Sequence, residues 1–470
     1  MVASPDPHPR ARLYVVLSRL RDAALKAYQH YGHIFTPEYL RTLFEDKVGL
    51  SSAVGRDGIR KGVFADNLEE EIRLILSKVE AQTYQFTGYR EKLISKGPDN
   101  LPRQVSIPTV RDRLTLRAVC DLVSAVFEDC RPHPPHEYIK TIKNLAAELG
   151  SNDSFLRMDI KSYYPSINQD ILLRRIRRRI RKPQVISLID SAIKTPTGKR
   201  NIPENQSLSG LPQGLSISNI LSAVYLAHLD EKYKRRTHYF RYVDDILVLC
   251  KSSEVHQIYE DLRADIRRTA RLECHTLDGN EFGKTRVARV IDGIDYLGFH
   301  ITDKGVSVRT SSYKRMFTNL VKVFTQYKYK KNKERFLWRL NLKITGCVFE
   351  GKRLGWMFFF SQTDNTSQLK RLDEFVKGLV SKLRLQNDAG RIKTFIKAYH
   401  EIRYNAENTK YIPNFETYSL EKKIEIICLL TGKHEEEVGE WDVEWIEEQF
   451  WKCTSREVAQ LEKDLLEVFS

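Results

Sequence analysis

The 470 residues hold 77 Lys and Arg against 61 Asp and Glu, a net charge of +16 with a pI near 9.3, so the surface suits polyanions, nucleic acid first. Hydrophobic residues at 41% and aromatics at 10% exclude a chain disordered throughout. No apolar run nears the roughly 18 residues of a membrane span, and the opening MVASPDPHPRAR lacks the apolar core of a secretory signal, so a soluble, cytoplasmic protein with no membrane partner is expected.

Apolar spacing predicts a helix within residues 12–30 (Leu13, Val16, Leu17, Leu20) and another over 67–82 (Leu68, Ile72, Ile75, Leu76, Val79). Around Gly88–Pro108 the punctuation shifts to Gly, Pro and short β-type runs. Residues 155–160 and 239–250 cluster apolar residues at strand length between turn signals. From about Ser311 onward the pattern is helical, with Leu369, Leu372, Val376, Leu379 and Leu383 at i, i+3 and i+4 spacing. The expectation is an α+β first part of about 300 residues and an all-helical remainder, with no internal repeat. The seven cysteines form no Cys-x-x-Cys pair and have no His at ligand spacing, so they read as reduced thiols outside any zinc site or disulfide frame.

Charge is unevenly spread. Arg174–Lys182 (RRIRRRIRK) carries seven basic residues in nine beside an apolar stripe of Leu172, Ile176 and Ile180. Such a helix packs by its stripe and shows Arg174, Arg175 and Arg178 to phosphates, or is an ordinary solvated face. Tyr327–Arg335 (YKYKKNKER) interleaves aromatics with Lys328 and Lys330, which suits stacking plus backbone contact. His434–Glu448 holds eight acids and no Lys or Arg, and is assigned to a protein contact or a solvated face.

The most informative segment is Tyr239–Cys250 (YFRYVDDILVLC), where two apolar β-type runs flank Tyr242-Val243-Asp244-Asp245 and place the acids at a hairpin tip. Paired carboxylates between buried strands ask for a cation, and hard oxygen ligands suit Mg2+. Phe155–Ile167 (FLRMDIKSYYPSI) is a short apolar strand ending at Asp159. Alone, Asp159 reads as the N-cap of a following helix. Beside the hairpin it completes a three-carboxylate cluster for two metals, one activating a hydroxyl and the other neutralising pyrophosphate. Between them, Ser209–Ser222 (SGLPQGLSISNILS) breaks at Pro212 and Gly214 before an apolar helix, offering backbone N–H groups and the Gln213 amide to a nucleotide.

FLRMDIKSYYPSI, GLPQGLSISN and YVDD, in that order, resemble the palm motifs of reverse transcriptases. Arg103–Val119 resembles the fingers segment of bacterial and group II intron enzymes, Lys284-Thr285 their Lys-Thr pair, Tyr296–Phe299 the primer-grip turn, and Gly55–Gly58 the N-terminal extension. The resemblance covers roughly residues 50–305. It implies a right-hand polymerase: an N-terminal helical segment (1–50), fingers (51–150), palm (151–305), helical thumb (306–400) and a helical C-terminal domain (401–470). It assigns catalysis to Asp159, Asp244, Asp245 and Lys284, the last as general acid or as a plain surface lysine. Metal falls to Asp159, Ile160, Asp244 and Asp245, held as two Mg2+ with Mn2+ as substitute. Nucleotide contact falls to Arg103, Tyr164 (a gate against the ribose 2′-OH), Gln213 and Gly214, and nucleic-acid contact to Tyr242, Leu297 and Gly298.

The resemblance further implies an RNA template, dNTPs as substrates and a DNA product. The segment before PRQVSIPTVRDR lacks the Gly-Lys-Arg lead-in of the intron enzymes, and no Cys/His-rich endonuclease module, retron element or RNase H carboxylate set is visible. What remains is similar to the unknown-group and abortive-infection enzymes of bacterial antiphage defence, with a non-coding RNA partner. Template-independent or protein-primed synthesis, a group II intron maturase, and an RNA-binding scaffold with a vestigial polymerase are the alternatives. A homo-oligomer or accessory protein is left open.

Overall fold

Apolar runs too short for helices meet in a four-stranded sheet, β4-β5-β3-β6, made of β3 (Asp153–Asp159), β4 (His238–Tyr242), β5 (Asp245–Lys251) and β6 (Arg286–Arg289). The computed structural model describes residues 25–49, 51, 53–94, 101–150, 152–198, 209–277 and 283–466. β5 lies inside the sheet and its Ile246–Cys250 run is buried throughout, which is why that stretch is continuously apolar rather than alternating. The chain divides into two compact units, one containing residues up to Pro132 and Leu156–Val287, the other His133–Phe155 and Ala288 onward.

In the first unit a two-stranded ribbon, β1 (Arg90–Ile94) with β2 (Arg103–Ile107), precedes the long buried helix Val110–Val126. Thr109 caps that helix, its side chain accepting from the Asp112 N–H. The helix expected over 67–82 spans Leu68–Glu80 and buries Ile72, Ile75 and Val79. Of the helix expected within 12–30, residues 12–24 lie outside the described ones, and a helix occupies 25–34. Asp159 caps no helix: the next one begins at Tyr163, behind Ser162.

The second unit contains an antiparallel meander of β7 (Ile294–Tyr296), β8 (Phe299–Thr302) and β9 (Gly305–Val308), followed by helices including Thr310–Lys330 and Thr366–Lys382. The remainder is not all helical. β10 (Cys347–Phe349) and β11 (Lys352–Leu354) form a hairpin whose turn takes Glu350 and Gly351 to φ of +49° and +66°. Gly346 and Gly355 flank it so closely that a Cβ on Gly355 would lie 2.6 Å from the Gly346 Cα, an approach only glycine permits. The helices Leu420–Thr431 and Val443–Leu466 share a core with Leu342, Phe349 and Phe415. Along the helix Lys333–Thr345, Arg335 and Arg339 both reach Glu457, and Lys343 reaches Asp464. No helix among the described residues is long and apolar enough to cross a membrane.

Candidate active site

Tyr242 pairs with Asp245 across β4 and β5, so the intervening turn is two residues, Val243 and Asp244. Tight hairpins of this kind need a positive φ at the first turn residue, and Val243 supplies it at +58°. A β-branched side chain there costs about 1–3 kcal/mol. Hydrogen bonds offset the strain: Arg241 Nη1 donates to the Val243 carbonyl at 2.8 Å, and the Ile160 N–H to the Asp244 carbonyl at 3.2 Å. Arg241 is 6% exposed, its Nε donates to Asp230 Oδ1 at 2.7 Å, and the Tyr239 hydroxyl donates to the same oxygen at 3.0 Å.

β3 delivers Asp159 at its end. The His275 N–H donates to the Asp159 carbonyl at 2.9 Å, while His275 Nε2 and Lys284 Nζ stand 3.3 and 3.4 Å from Asp159 Oδ2. Burial, then the charge of Asp159, lifts the Asp244 carboxyl to about 6; Asp245 adds to this and Lys284 opposes it. Asp245 is engaged elsewhere, Arg157 Nε and Nη2 donating to its two oxygens at 2.8 Å each. Among the described residues no three His, Cys, Asp or Glu side chains stand together as a metal-holding group. Of the three carboxylates expected to cluster, Asp159 and Asp245 both act on Asp244 through their charge, and Arg157 grips Asp245.

The nucleotide residues of the first unit converge. Tyr164, in the one-turn helix Tyr163–Ser166, donates its hydroxyl to Asn219 Oδ1 at 2.6 Å. Burial raises the Tyr164 pKa above the usual phenol value, with Asp244 raising it and Arg103 lowering it, so both charges lie within electrostatic reach of the ring. The Leu211 N–H donates to the Tyr164 carbonyl at 2.8 Å, and the Ser106 N–H to the Gln213 carbonyl at 2.7 Å. Gly214 has φ +101°, and a Cβ on it would lie 2.6 Å from Val105 Cγ1. Glycine is therefore what lets this loop rest on β2, at whose start Arg103 is exposed.

The basic helix is only partly available. Gln169–Arg177 buries Leu172 and Ile176 and leaves Arg174 exposed, as is Arg178 just beyond it. Arg175 departs from the expectation: its Nη2 donates to the Thr269 carbonyl at 2.6 Å and its guanidinium lies 4.7 Å over the Tyr225 ring. Burial lowers it to about 10, and burial together with Arg175 pushes neighbouring His228 down to about 4. In the second unit, Leu297 and Gly298 form the β7–β8 turn with φ of +47° and +85°. The Leu297 side chain is buried, so the turn presents its backbone. Lys328 and Lys330 are exposed around Tyr329, whereas Tyr327 stacks on Phe336.

Sequence reasoning missed His275, Arg157, Asn219 and the Arg241–Asp230 pair. Arg157 carried a signal, a lone cation inside an apolar strand; His275 carried none.

Residues 94–301 match the reverse transcriptase (RNA-dependent DNA polymerase) family. Over 335 residues the chain is 24% identical to Protein YkfC of Escherichia coli (strain K12), covering 60% of this chain and 85% of that one. Over 184 residues it is 30% identical to Group II intron-encoded protein LtrA of Lactococcus lactis subsp. cremoris, covering 36% of this chain and 30% of LtrA. Telomerase from Candida albicans, solved with a TWJ fragment of telomeric RNA, aligns at a TM-score of 0.40 and 14% identity over 86% of this chain and 68% of that one. Residues 94–301 match a reverse transcriptase domain, and this similarity supports RNA-directed DNA polymerase as the enzyme class.

Proposed function

We propose that this polymerase adds dNTPs to a 3′-hydroxyl along an RNA template, using divalent metal, Mg2+ by preference. The observation that carries the reading is the meeting of Asp159 and Asp244, joined where the Ile160 N–H donates to the Asp244 carbonyl at 3.2 Å. Burial first, then the charge of Asp159, lifts the Asp244 carboxyl to about 6. Two such carboxylates with the Ile160 carbonyl make the hard-oxygen donor set a divalent ion takes. Bound metal supplies activation of the hydroxyl and charge neutralisation at pyrophosphate. Arg103 holds the triphosphate by a two-point contact, Gln213 and the Gly214 backbone line the nucleotide, and Lys284 donates a proton to the leaving pyrophosphate. Asp245 completes the acidic hairpin tip.

Tyr164 is the sugar gate, its ring held by the Asn219 hydrogen bond. The test is primer extension on RNA and DNA templates with dNTPs or NTPs. Wild type should extend on RNA with dNTPs. Tyr164→Ala should raise NTP use relative to dNTP by about 100-fold, a discrimination of about 3 kcal/mol, whereas Tyr164→Phe keeps the ring and stays within about threefold of wild type. Equal NTP use by wild type and Tyr164→Ala would remove Tyr164 from this role.

The setting we propose is antiphage defence with a non-coding RNA as template, the C-terminal helices serving as its docking or oligomerisation part. The acidic Glu435–Glu448 segment supports it over a maturase, which would need RNA affinity there. The similarity to LtrA favours a group II intron enzyme as the second reading. Sequencing RNA that co-purifies with the protein separates them: a discrete non-coding RNA supports the first, intron RNA the second.

A further inference from the structure

Arg157 is the one cation in β3, among residues that are otherwise acidic, polar or apolar and mostly buried. Strand alternation puts it on the same face as Asp159, two residues on. Its side chain is 21% exposed and that of Asp245 15%, so this is not a solvated surface pair. Two parallel N–H donors at 2.8 Å fix both oxygens and the plane of the carboxylate, which a point charge does not do.

Building on the polymerase reading above, we infer that Arg157 is a positioning residue for the catalytic hairpin. Its grip on Asp245 fixes the start of β5 and thereby Asp244, and it withdraws Asp245 from the metal-holding set. Asp245 is the first residue of β5, in register with Tyr242 at the end of β4, and Asp244 is joined to it by one peptide unit. The Asp244 carbonyl is already tied to the Ile160 N–H at 3.2 Å. With the Arg157 fork in place, Asp244 is held from both sides against Asp159. Arg157 also offsets one of three crowded negative charges, leaving Asp159 and Asp244 as the pair whose charge awaits a cation. The sequence pattern counts Asp245 as a third ligand; gripped by Arg157, it is instead the anchor of the second.

The test uses the full chain with Arg157→Met, Arg157→Lys, Asp245→Asn and the Arg157→Met/Asp245→Asn double variant, beside Asp244→Asn. Mn2+ binding is followed by electron paramagnetic resonance without nucleotide, and primer extension gives kcat and KM. Asp244→Asn should lose Mn2+ binding, whereas Asp245→Asn and Arg157→Met should keep it, weakened by about tenfold. In both single variants kcat should fall about tenfold or more while KM for dNTP moves less than about threefold. The double variant should be no slower than the slower single, because one interaction has been removed twice. Arg157→Lys should recover part of kcat.

Loss of Mn2+ by Asp245→Asn equal to that of Asp244→Asn would overturn the inference, as would kcat losses that multiply in the double variant. Unfolding midpoints in EDTA give an arm that needs no activity. Arg157→Met should unfold several degrees lower, with the double variant returning toward wild type; equal midpoints contradict the grip. A wild type that extends no primer would defeat the polymerase reading, while the Mn2+ and unfolding arms would still decide the role of Arg157.

Discussion

Asp244→Asn should lower kcat for RNA-templated dNTP incorporation by about 1000-fold or more, a loss of about 4 kcal/mol of the kind a removed metal ligand produces. The same substitution should make the metal-free protein more stable at pH 7.5. Burial and Asp159 raise the folded Asp244 carboxyl to about 6, above the ~3.9 of an unfolded chain. The stability tied to its protonated form is complete below about pH 4 and is lost as pH climbs through about 6. Asparagine retains it. In EDTA the variant should therefore unfold later than wild type by of order 2 kcal/mol at pH 7.5, and urea titrations should show the gap closing toward pH 4. A variant inactive because it is misfolded would show the opposite, a lower urea midpoint at every pH. Gaining stability while losing activity is the signature of a site built under charge strain for a cation.

Arg241→Met should cost about 3–5 kcal/mol in urea unfolding, since it leaves the Asp230 carboxylate without its cation in a nearly buried place. Adding Asp230→Asn removes the unpaired charge, and the amide oxygen still accepts the Tyr239 hydroxyl. The double variant should thus recover most of the stability. It should not recover primer extension, because the Val243 carbonyl has still lost its Nη1 donor and the strained turn is released. If activity returned along with stability, Arg241 would be a packing residue and the hold on Val243 incidental.

The acidic hairpin of the candidate site was legible because β5 is buried on a continuous run and the acids stand at its edge, so pattern and charge coincide at one place. Asp159 was legible for the same reason, as the acid that ends an apolar strand. The contacts that shape these acids were not. Arg157 and Asp245 are 88 residues apart, and His275 reaches Asp159 only through an irregular segment hydrogen-bonded beyond the end of β3. The inward turn of Arg175 could have been read. At 100° per residue it borders the Leu172–Ile176 stripe, whereas Arg174 lies opposite. The β10–β11 hairpin announced itself by Gly346, Gly351 and Gly355, but helical spacing on both sides hid it. The pairing of Tyr164 with Asn219 was out of reach, since spacing within either motif says nothing of their meeting.

The ladder of Arg335, Arg339 and Lys343 against Glu457 and Asp464 bears on how shortened forms of this protein behave. A chain trimmed ahead of Glu457 would strip the counter-charges from three cations spaced one helical turn apart. Such a fragment would stick to heparin columns and to any RNA offered, and more weakly as salt is raised. Its tighter retention would look like relief of inhibition by the missing helix. It would in fact report an exposed internal seam, and only substitutions within the intact chain separate the two.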